Sequence, residues 1–244
     1  TGQTPAPLPS VPNPAGMALV LVLAARIEAA AVLAGLGTAS DAPDDWQPAR
    51  VTSNVHLLVT GVGKANAAGA VALALGSRSF RAVVNLGICG LLPIARPVAM
   101  GETIAASRSI YADEGLELPD GSFIGCASMG FPLGPFDDWG VRADSDLLQI
   151  LSPLASVTAP VATVSTCSGS DALARTVIER TWAVAEAMEG AAAGQVASRL
   201  GVPFLEIRVV SNTTGDRERQ VWAIGPALRR VGEVAEGIRR AFEG

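Results

Sequence analysis

From residue 17 onward, short uninterrupted apolar runs alternate with Ala-rich stretches whose apolar positions recur every three to four residues. The runs at 18–24, 56–60, 82–86, 103–111, 162–166 and 204–210 predict strands. The stretches at 27–36, 64–75, 172–180, 189–200 and 226–242 predict helices. Val, Ile and Leu fill the strands without a period of two, the pattern of strands covered on both sides. Strand and helix in alternation predict a mainly parallel sheet with helices on both faces, an α/β fold. Between residues 115 and 140 the pattern breaks into a Gly/Pro-rich stretch carrying Phe123, Met129, Phe131, Phe136 and Trp139. Aromatics in such a loop need cover, which a subunit interface or a pocket lid would provide.

Length adds that the 244 residues form one domain, because no internal linker interrupts them. That domain is expected over 17–244, after an extension at 1–16 with five prolines and no charge that is expected to be flexible. Hydrophobic residues make up 49% and charged residues 17%, which predicts a well-packed protein with surface occluded by a partner subunit. A net charge of −5 without a Lys/Arg block argues against nucleic acid and anionic membrane as partners. The apolar segment 17–32 is interrupted by Arg26 and Glu28 and is too short to span a bilayer. It also lacks the pattern of a signal peptide, so a cytoplasmic location is expected. Cys89, Cys126 and Cys167 are scattered, which argues for buried free thiols and against a structural zinc site.

Candidate chemistry is concentrated at 206–217, where an apolar run gives way to Ser211, Asn212 and a Gly-bearing loop. Ligands collect at such carboxyl ends of buried strands. The amide of Asn212, predicted at the tip, offers a donor beside an acceptor and suits a base edge with a carbonyl next to an N–H. Equally, Ser211 and Asn212 could cap the next helix. Gly61-Val-Gly-Lys64 resembles a phosphate loop but lacks the full spacing, and Asn66 replaces the last glycine of a dinucleotide fingerprint. A helix N-terminus there could still approach a sugar or an anion. The sole histidine, His56, lies in an apolar strand and reads as core. Neither a histidine triad nor a multi-histidine metal site can be built from it. Acid–base chemistry therefore falls to carboxylates, amides or arginine. Glu28 opens a helix, as a base beside a water or as a partner of the helix dipole. Glu189 lies among small apolar residues, three positions from Glu186 and on the same predicted helical face. Asp216 and Arg217 are expected to pair with each other.

In order, these segments resemble the purine nucleoside phosphorylase and nucleosidase superfamily from about residue 17 to the C-terminus. The resemblance is carried by the first strand with Glu28, then Thr60-Gly-Val-Gly-Lys-Ala-Asn-Ala-Ala68 and Asn85-Leu-Gly-Ile-Cys-Gly90, then Ala187-Met-Glu-Gly-Ala-Ala192 and Arg208-Val-Val-Ser-Asn212. It implies one α/β domain with a central mixed, mostly parallel sheet, and a homo-oligomer with sites near subunit contacts. Within the superfamily the chain is most similar to the futalosine hydrolases, because Asn212 stands where adenine-specific relatives carry aspartate. The Thr213-Thr-Gly-Asp-Arg217 segment and Trp222 fit that group as well.

The resemblance implies that Glu28 is the general base, that Arg208 lies near the attacking water, and that Met188 and Glu189 bind ribose. It puts Ser168 and Gly169 beside the base, where Asn212 would read a 6-oxopurine. The sequence departs from nucleosidases at Ile88, where a serine is common, and in Ser168-Gly-Ser-Asp-Ala172, which lacks a stacking aromatic. The implied reaction releases hypoxanthine and dehypoxanthine futalosine, an intermediate of menaquinone biosynthesis, without metal or other cofactor. The alternatives are a 6-oxopurine nucleoside phosphorylase, a methylthioadenosine/adenosylhomocysteine nucleosidase, and a nucleoside-binding protein without turnover.

Overall fold

A computed structural model describes residues 17–94 and 98–242. The extension at 1–16 lies outside the described residues. The first strand, β1 (Leu19–Leu23), is Leu-Val-Leu-Val-Leu and is buried throughout. Its odd positions face one core and its even positions another. Leu19, Leu21 and Leu23 pack with α1 (Arg26–Gly35), α3 (Ser145–Leu151) and α6 (Ile224–Phe242). Val20 and Val22 pack with α2 (Lys64–Ser77) and α5 (Gly190–Arg199). Two-sided burial explains why the strands lack a two-residue period, and each such Val or Leu stabilises the fold by about 1.5–3 kcal/mol. The helices match this with small side chains. Ala67, Ala70, Val71 and Ala74 form the buried stripe of α2, at the spacing of one helical face.

Beside β1 lie β3 (Val55–Val59) and β4 (Ala82–Leu91), both parallel to it, with β2 (Ala49–Arg50) antiparallel at the edge. On its other side β4 pairs in parallel with β11 (Phe204–Thr213), which runs antiparallel to β5 (Thr103–Tyr111). Next come β9 (Val157–Thr163) and β10 (Ala185–Ala187), each parallel to its neighbour, and β8 (Val141–Arg142) joins β5. The end of the sheet then curls back, because β10 pairs antiparallel with the last residues of β4. Strand β4 thus runs beside β1 over Ala82–Asn85 and meets β10 at Gly90 and Leu91. A fourth helix, α4 (Asp171–Thr181), covers the curled part. The expected mixed, mostly parallel α/β sheet with helices on both faces is the architecture observed.

Four local expectations change. Strand β11 does not end at residue 210 but continues past Ser211, where a bulge shifts its register, to Thr213. Asn212 is therefore in a strand, not at a loop tip, and neither it nor Ser211 caps α6, which starts only at Ile224. The predicted strand at 162–166 lies earlier, at β9, because its pairing with β5 begins at Ile104–Val157. Ala185-Glu-Ala187, helical by composition, is drawn into strand pairing by β9 and β4, so Glu186 and Glu189 share no helical face. Helix α3, absent from the predicted set, is capped by Asp144, which accepts from Asp146 N–H and Leu147 N–H.

The aromatic-rich stretch contains a small hairpin, β6 (Gly115–Glu117) with β7 (Phe123–Gly125). The Arg180 guanidinium covers Phe123 at 4.2 Å, while Phe131 and Trp139 stay 73% and 52% exposed. Tyr111, Phe123, Phe136, Trp139 and Arg180 help to line a cavity of about 610 Å³ here. Of the thiols only Cys89 is buried; Cys126 is half-buried and Cys167 exposed, contrary to the expected burial of all three. Among the described residues no helix is long and apolar enough to cross a membrane.

Candidate active site

The carboxyl ends of β1, β4 and β11 and the start of α5 bring together Glu28, Arg208 and Glu189. Glu28 is in the first turn of α1, and its carboxylate accepts three backbone N–H bonds. Oε2 takes those of Ala24 and Ala25 at 3.0 and 3.1 Å, and Oε1 takes that of Ile88 at 2.9 Å. The helix-terminus and site readings of this residue therefore coexist, since its bond to Ala25 is a cap and its bond to Ile88 reaches across to β4. Burial pushes the Glu28 carboxyl above the ordinary range, opposed by Arg208 and by the Ile88 bond, with Glu189 adding to the rise.

Arg208 is wholly buried and its guanidinium is enclosed by acceptors. Nε donates to Glu206 Oε1 at 2.8 Å, and one terminal nitrogen donates to Asn85 Oδ1 at 2.6 Å and Glu189 Oε2 at 3.2 Å. The other reaches the Ile88 carbonyl at 3.3 Å. Although desolvation disfavours its charge, Glu206, Glu189 and Glu28 hold the guanidinium protonated. Glu206 also accepts from the Ser109 hydroxyl, and burial keeps its carboxyl raised. Sequence reasoning missed Glu206 and Asn85. The signal was there in Phe204-Leu-Glu-Ile-Arg208, two charges two apart inside an apolar strand. Gly87 makes this crowding possible. A Cβ there would lie 2.6 Å from Glu28 Oε1 and 2.7 Å from an Arg208 nitrogen.

Glu189 precedes α5 and accepts from Gly63 N–H at 3.0 Å. The Gly61–Lys64 turn thus spends an N–H on a carboxylate of the chain itself. Lys64 is bound by Asp113 and by Glu114, the latter at 3.1 Å. Met188 is half-buried beside Glu189 and packs on the core under α4.

Further along β4, about 10 Å from Gly87 at the usual rise per residue, lies a second polar group. Asn212 pairs with Gly90 in register. Its Oδ1 accepts from the Ser211 hydroxyl at 2.8 Å and its Nδ2 donates to the Thr213 carbonyl at 3.0 Å. An amide has two N–H bonds and two lone pairs, so one of each remains. Ser168 is buried, with its N–H and hydroxyl both donating to Glu186 at 2.6 Å. Gly169 is exposed, and its carbonyl accepts from Arg217 N–H at 3.1 Å. Asp216 pairs with Arg219, not with Arg217, whose guanidinium lies 4.6 Å from the Trp222 ring.

His56 is remote from both groups. It packs edge-on against Phe80, and burial with Arg78 beside it keeps the ring neutral. Among the described residues no group of three or more His, Cys, Asp or Glu could hold a metal ion. The 610 Å³ cavity shares none of its lining with Glu28, Glu189, Arg208 or Asn212, so the chemistry is located by side-chain convergence and not by cavity size.

Residues 49–242 match the phosphorylase superfamily. The chain is 36% identical over 224 residues to a futalosine hydrolase of Acidothermus cellulolyticus, covering 87% of this chain and 86% of the relative. A futalosine hydrolase of Thermus thermophilus is 30% identical, with 80% and 88% covered. Among solved structures, a Streptococcus pneumoniae MTA/SAH nucleosidase in complex with 8-aminoadenine superposes with a TM-score of 0.71 at 21% identity, over 93% of this chain and 100% of the other. A Neisseria meningitidis 5′-methylthioadenosine/S-adenosylhomocysteine nucleosidase, in complex with methylthio-immucillin-A, gives 0.69 at 18% identity over 92% and 98%.

Proposed function

The chain belongs to the phosphorylase superfamily, and on that premise we propose that it hydrolyses the N-glycosidic bond of futalosine, releasing hypoxanthine. The observation that carries this reading is the buried convergence of Glu28, Glu189 and Glu206 on one guanidinium, that of Arg208. Three carboxyl groups against one cation leave the pocket short of positive charge. Breaking a glycosidic bond to a purine develops that charge on the ribose, so the pocket stabilises the transition state more than the neutral nucleoside. Glu189, on the sugar with Met188, binds the ribose hydroxyls. Glu28 takes a proton from water as it attacks C1′, and its raised pKa makes it the stronger base for that step. Arg208 holds the two carboxylates at their separation and lies beside the water.

At the other end of the substrate, Asn212 binds the departing base, its free N–H toward O6 and its free lone pair toward a protonated N7. Ser168 and Gly169 wall that end. The relatives named futalosine hydrolase support hypoxanthine as the base, as does the neutral amide at 212. An assembly of like chains belongs to the same reading, since exposed Phe131 and Trp139 need apolar cover.

Phosphorolysis would bring a dianion into this pocket. Among the described residues, Lys64 is already bound by two acids and Arg208 by two, with the charge of Glu28 nearby, which favours water as the nucleophile. The test is to incubate the protein with futalosine, inosine or methylthioadenosine, with and without phosphate. Phosphate-independent release of hypoxanthine from futalosine is expected. A sugar 1-phosphate product, or preferential cleavage of methylthioadenosine, would overturn the proposal.

A further inference from the structure

Resting on the hydrolase reading, we propose that Glu206 is a positioning residue for the general base. It fixes the Arg208 guanidinium at Nε and offsets its charge, so that Arg208 can hold the site together without weakening Glu28.

Glu206 is fully buried in β11, two residues before Arg208. Its Oε1 accepts from Arg208 Nε at 2.8 Å, and its Oε2 accepts from the Ser109 hydroxyl on β5. Helix α5 makes room for the carboxylate by opening on Gly190, where a Cβ would collide with both oxygens. A guanidinium is planar and rigid, so a bond at Nε sets the directions of both terminal nitrogens. One of them reaches Asn85 at 2.6 Å and Glu189 at 3.2 Å, and the other reaches the Ile88 carbonyl at 3.3 Å. Ile88 is also the residue whose N–H holds Glu28 Oε1 at 2.9 Å. A line of contacts therefore runs from Glu206 through Arg208 and Ile88 to Glu28.

Charge follows the same line. A bare guanidinium beside Glu28 favours its ionised form and makes it a poorer proton acceptor. The groups that face Glu28 are Arg208, Glu189 and the N–H groups of Ala25 and Ile88. Those that face Glu206 are Arg208 on its own strand, Glu189 before α5 and the Ser109 hydroxyl on β5. The Cys89 thiol on β4 is also near, and burial pushes it up to about 12. Arg208 is the one cation in this set, so Glu206 turns its field at Glu28 into that of a pair. Because the pairing is made at Nε, the terminal nitrogens stay available to Ile88, Asn85 and Glu189. A brace for the fold would not require this charge, since packed apolar side chains often replace buried ion pairs without loss of stability.

The experiment measures kcat and KM for hypoxanthine release from futalosine across pH, with melting temperatures, for the wild type, Glu206→Gln and Glu206→Asp. Glutamine keeps an acceptor for Arg208 Nε but removes the charge. The Glu28 carboxyl then ionises more readily, so the acid limb of the rate is expected to move to lower pH. Its kcat is expected to fall by about three- to tenfold as the base weakens, with KM changed by less than about threefold. Aspartate keeps the charge but is one methylene too short for Nε. Its acid limb is expected to stay near that of the wild type, while kcat falls by about ten- to a hundredfold from misplacement of Arg208. A Glu206→Gln enzyme with wild-type kcat and acid limb would overturn the proposal. So would one that melts lower and loses rate with its acid limb unmoved, the signature of a brace. If Glu206→Gln does not fold, Glu206→Asp decides, and a wild-type kcat there overturns the proposal. A wild type that cleaves no nucleoside removes the hydrolase reading and this role together. An active wild type whose variants respond in neither way removes only the role of Glu206.

Discussion

Replacing Glu28 by Gln separates its hydrogen bonding to the backbone from the general-base role proposed for it. The carboxylate accepts from Ala24, Ala25 and Ile88 N–H groups, at 3.0, 3.1 and 2.9 Å. Glutamine has one acceptor atom. If its oxygen keeps the Ala24 and Ala25 bonds, its NH₂ faces the Ile88 N–H, donor to donor. One buried backbone donor is then unsatisfied, at about 1–3 kcal/mol. In a chain of this length each kcal/mol lowers the melting temperature by roughly 2–4 °C, so a drop of about 2–12 °C is expected. Arg208 keeps Glu206 and Glu189, which limits the electrostatic part of the loss. Turnover should fall much further, by about 10²–10⁴-fold, because the proton acceptor for water is gone. Rates of hypoxanthine release should be measured well below both melting points, across pH. In the wild type the rate should fall as pH drops through the Glu28 pKa, which burial has raised above 4.5, so the acid limb begins higher than for an ordinary glutamate. That limb should be absent in the variant. A Glu28→Gln enzyme that melts lower but turns over within a few-fold of wild type would show that Glu28 only caps α1, and the general-base assignment would be wrong.

Three further changes probe the rest of the site. Glu189→Gln should raise KM and lower kcat on nucleosides, since the carboxylate is assigned to ribose in ground and transition states; a change in kcat alone, by steady-state kinetics, would count against that assignment. Asn212→Asp puts a carboxyl oxygen 3.0 Å from the Thr213 carbonyl, where only a protonated acid is comfortable; the 6-oxo to 6-amino ratio of kcat/KM should drop about five- to two-hundredfold, and an unchanged ratio would remove Asn212 from base selection. Gly87→Ala drives a methyl into Glu28 and Arg208 at 2.6 and 2.7 Å, so hydrolysis should be lost by more than about a hundredfold while the fold, followed by circular dichroism, survives.

The sheet was legible because burial on both sides leaves an unbroken apolar run, and most of the long strands announce themselves that way. Ala185–Ala187 did not, since an Ala-Glu-Ala segment carries no strand preference and becomes one only when β4 and β9 offer partners on either side. The end of β11 misled for a related reason. Ser211 and Asn212 look like the start of a loop, yet the backbone keeps pairing with Gly90 and Leu91. In the site, Glu28, Glu189 and Arg208 stood out by motif, while the roles of Glu206 and Asn85 did not. Their importance comes from which strands become neighbours, and Asn85 and Arg208 are 123 residues apart.

Arg208 and Glu206 also police how β11 docks. They point to one face of that strand, while Leu205, Ile207 and Val209 pack into the core under α1 and α6. Sliding β11 by a single residue against β4 would turn the ion pair into that apolar core and put the aliphatic side chains where the buried polar cluster sits. Either alternative buries charges without acceptors, an uncompensated loss of about 3–5 kcal/mol for each broken pair. Arg208 and Glu206 therefore leave this chain one tolerable way to insert its central strand.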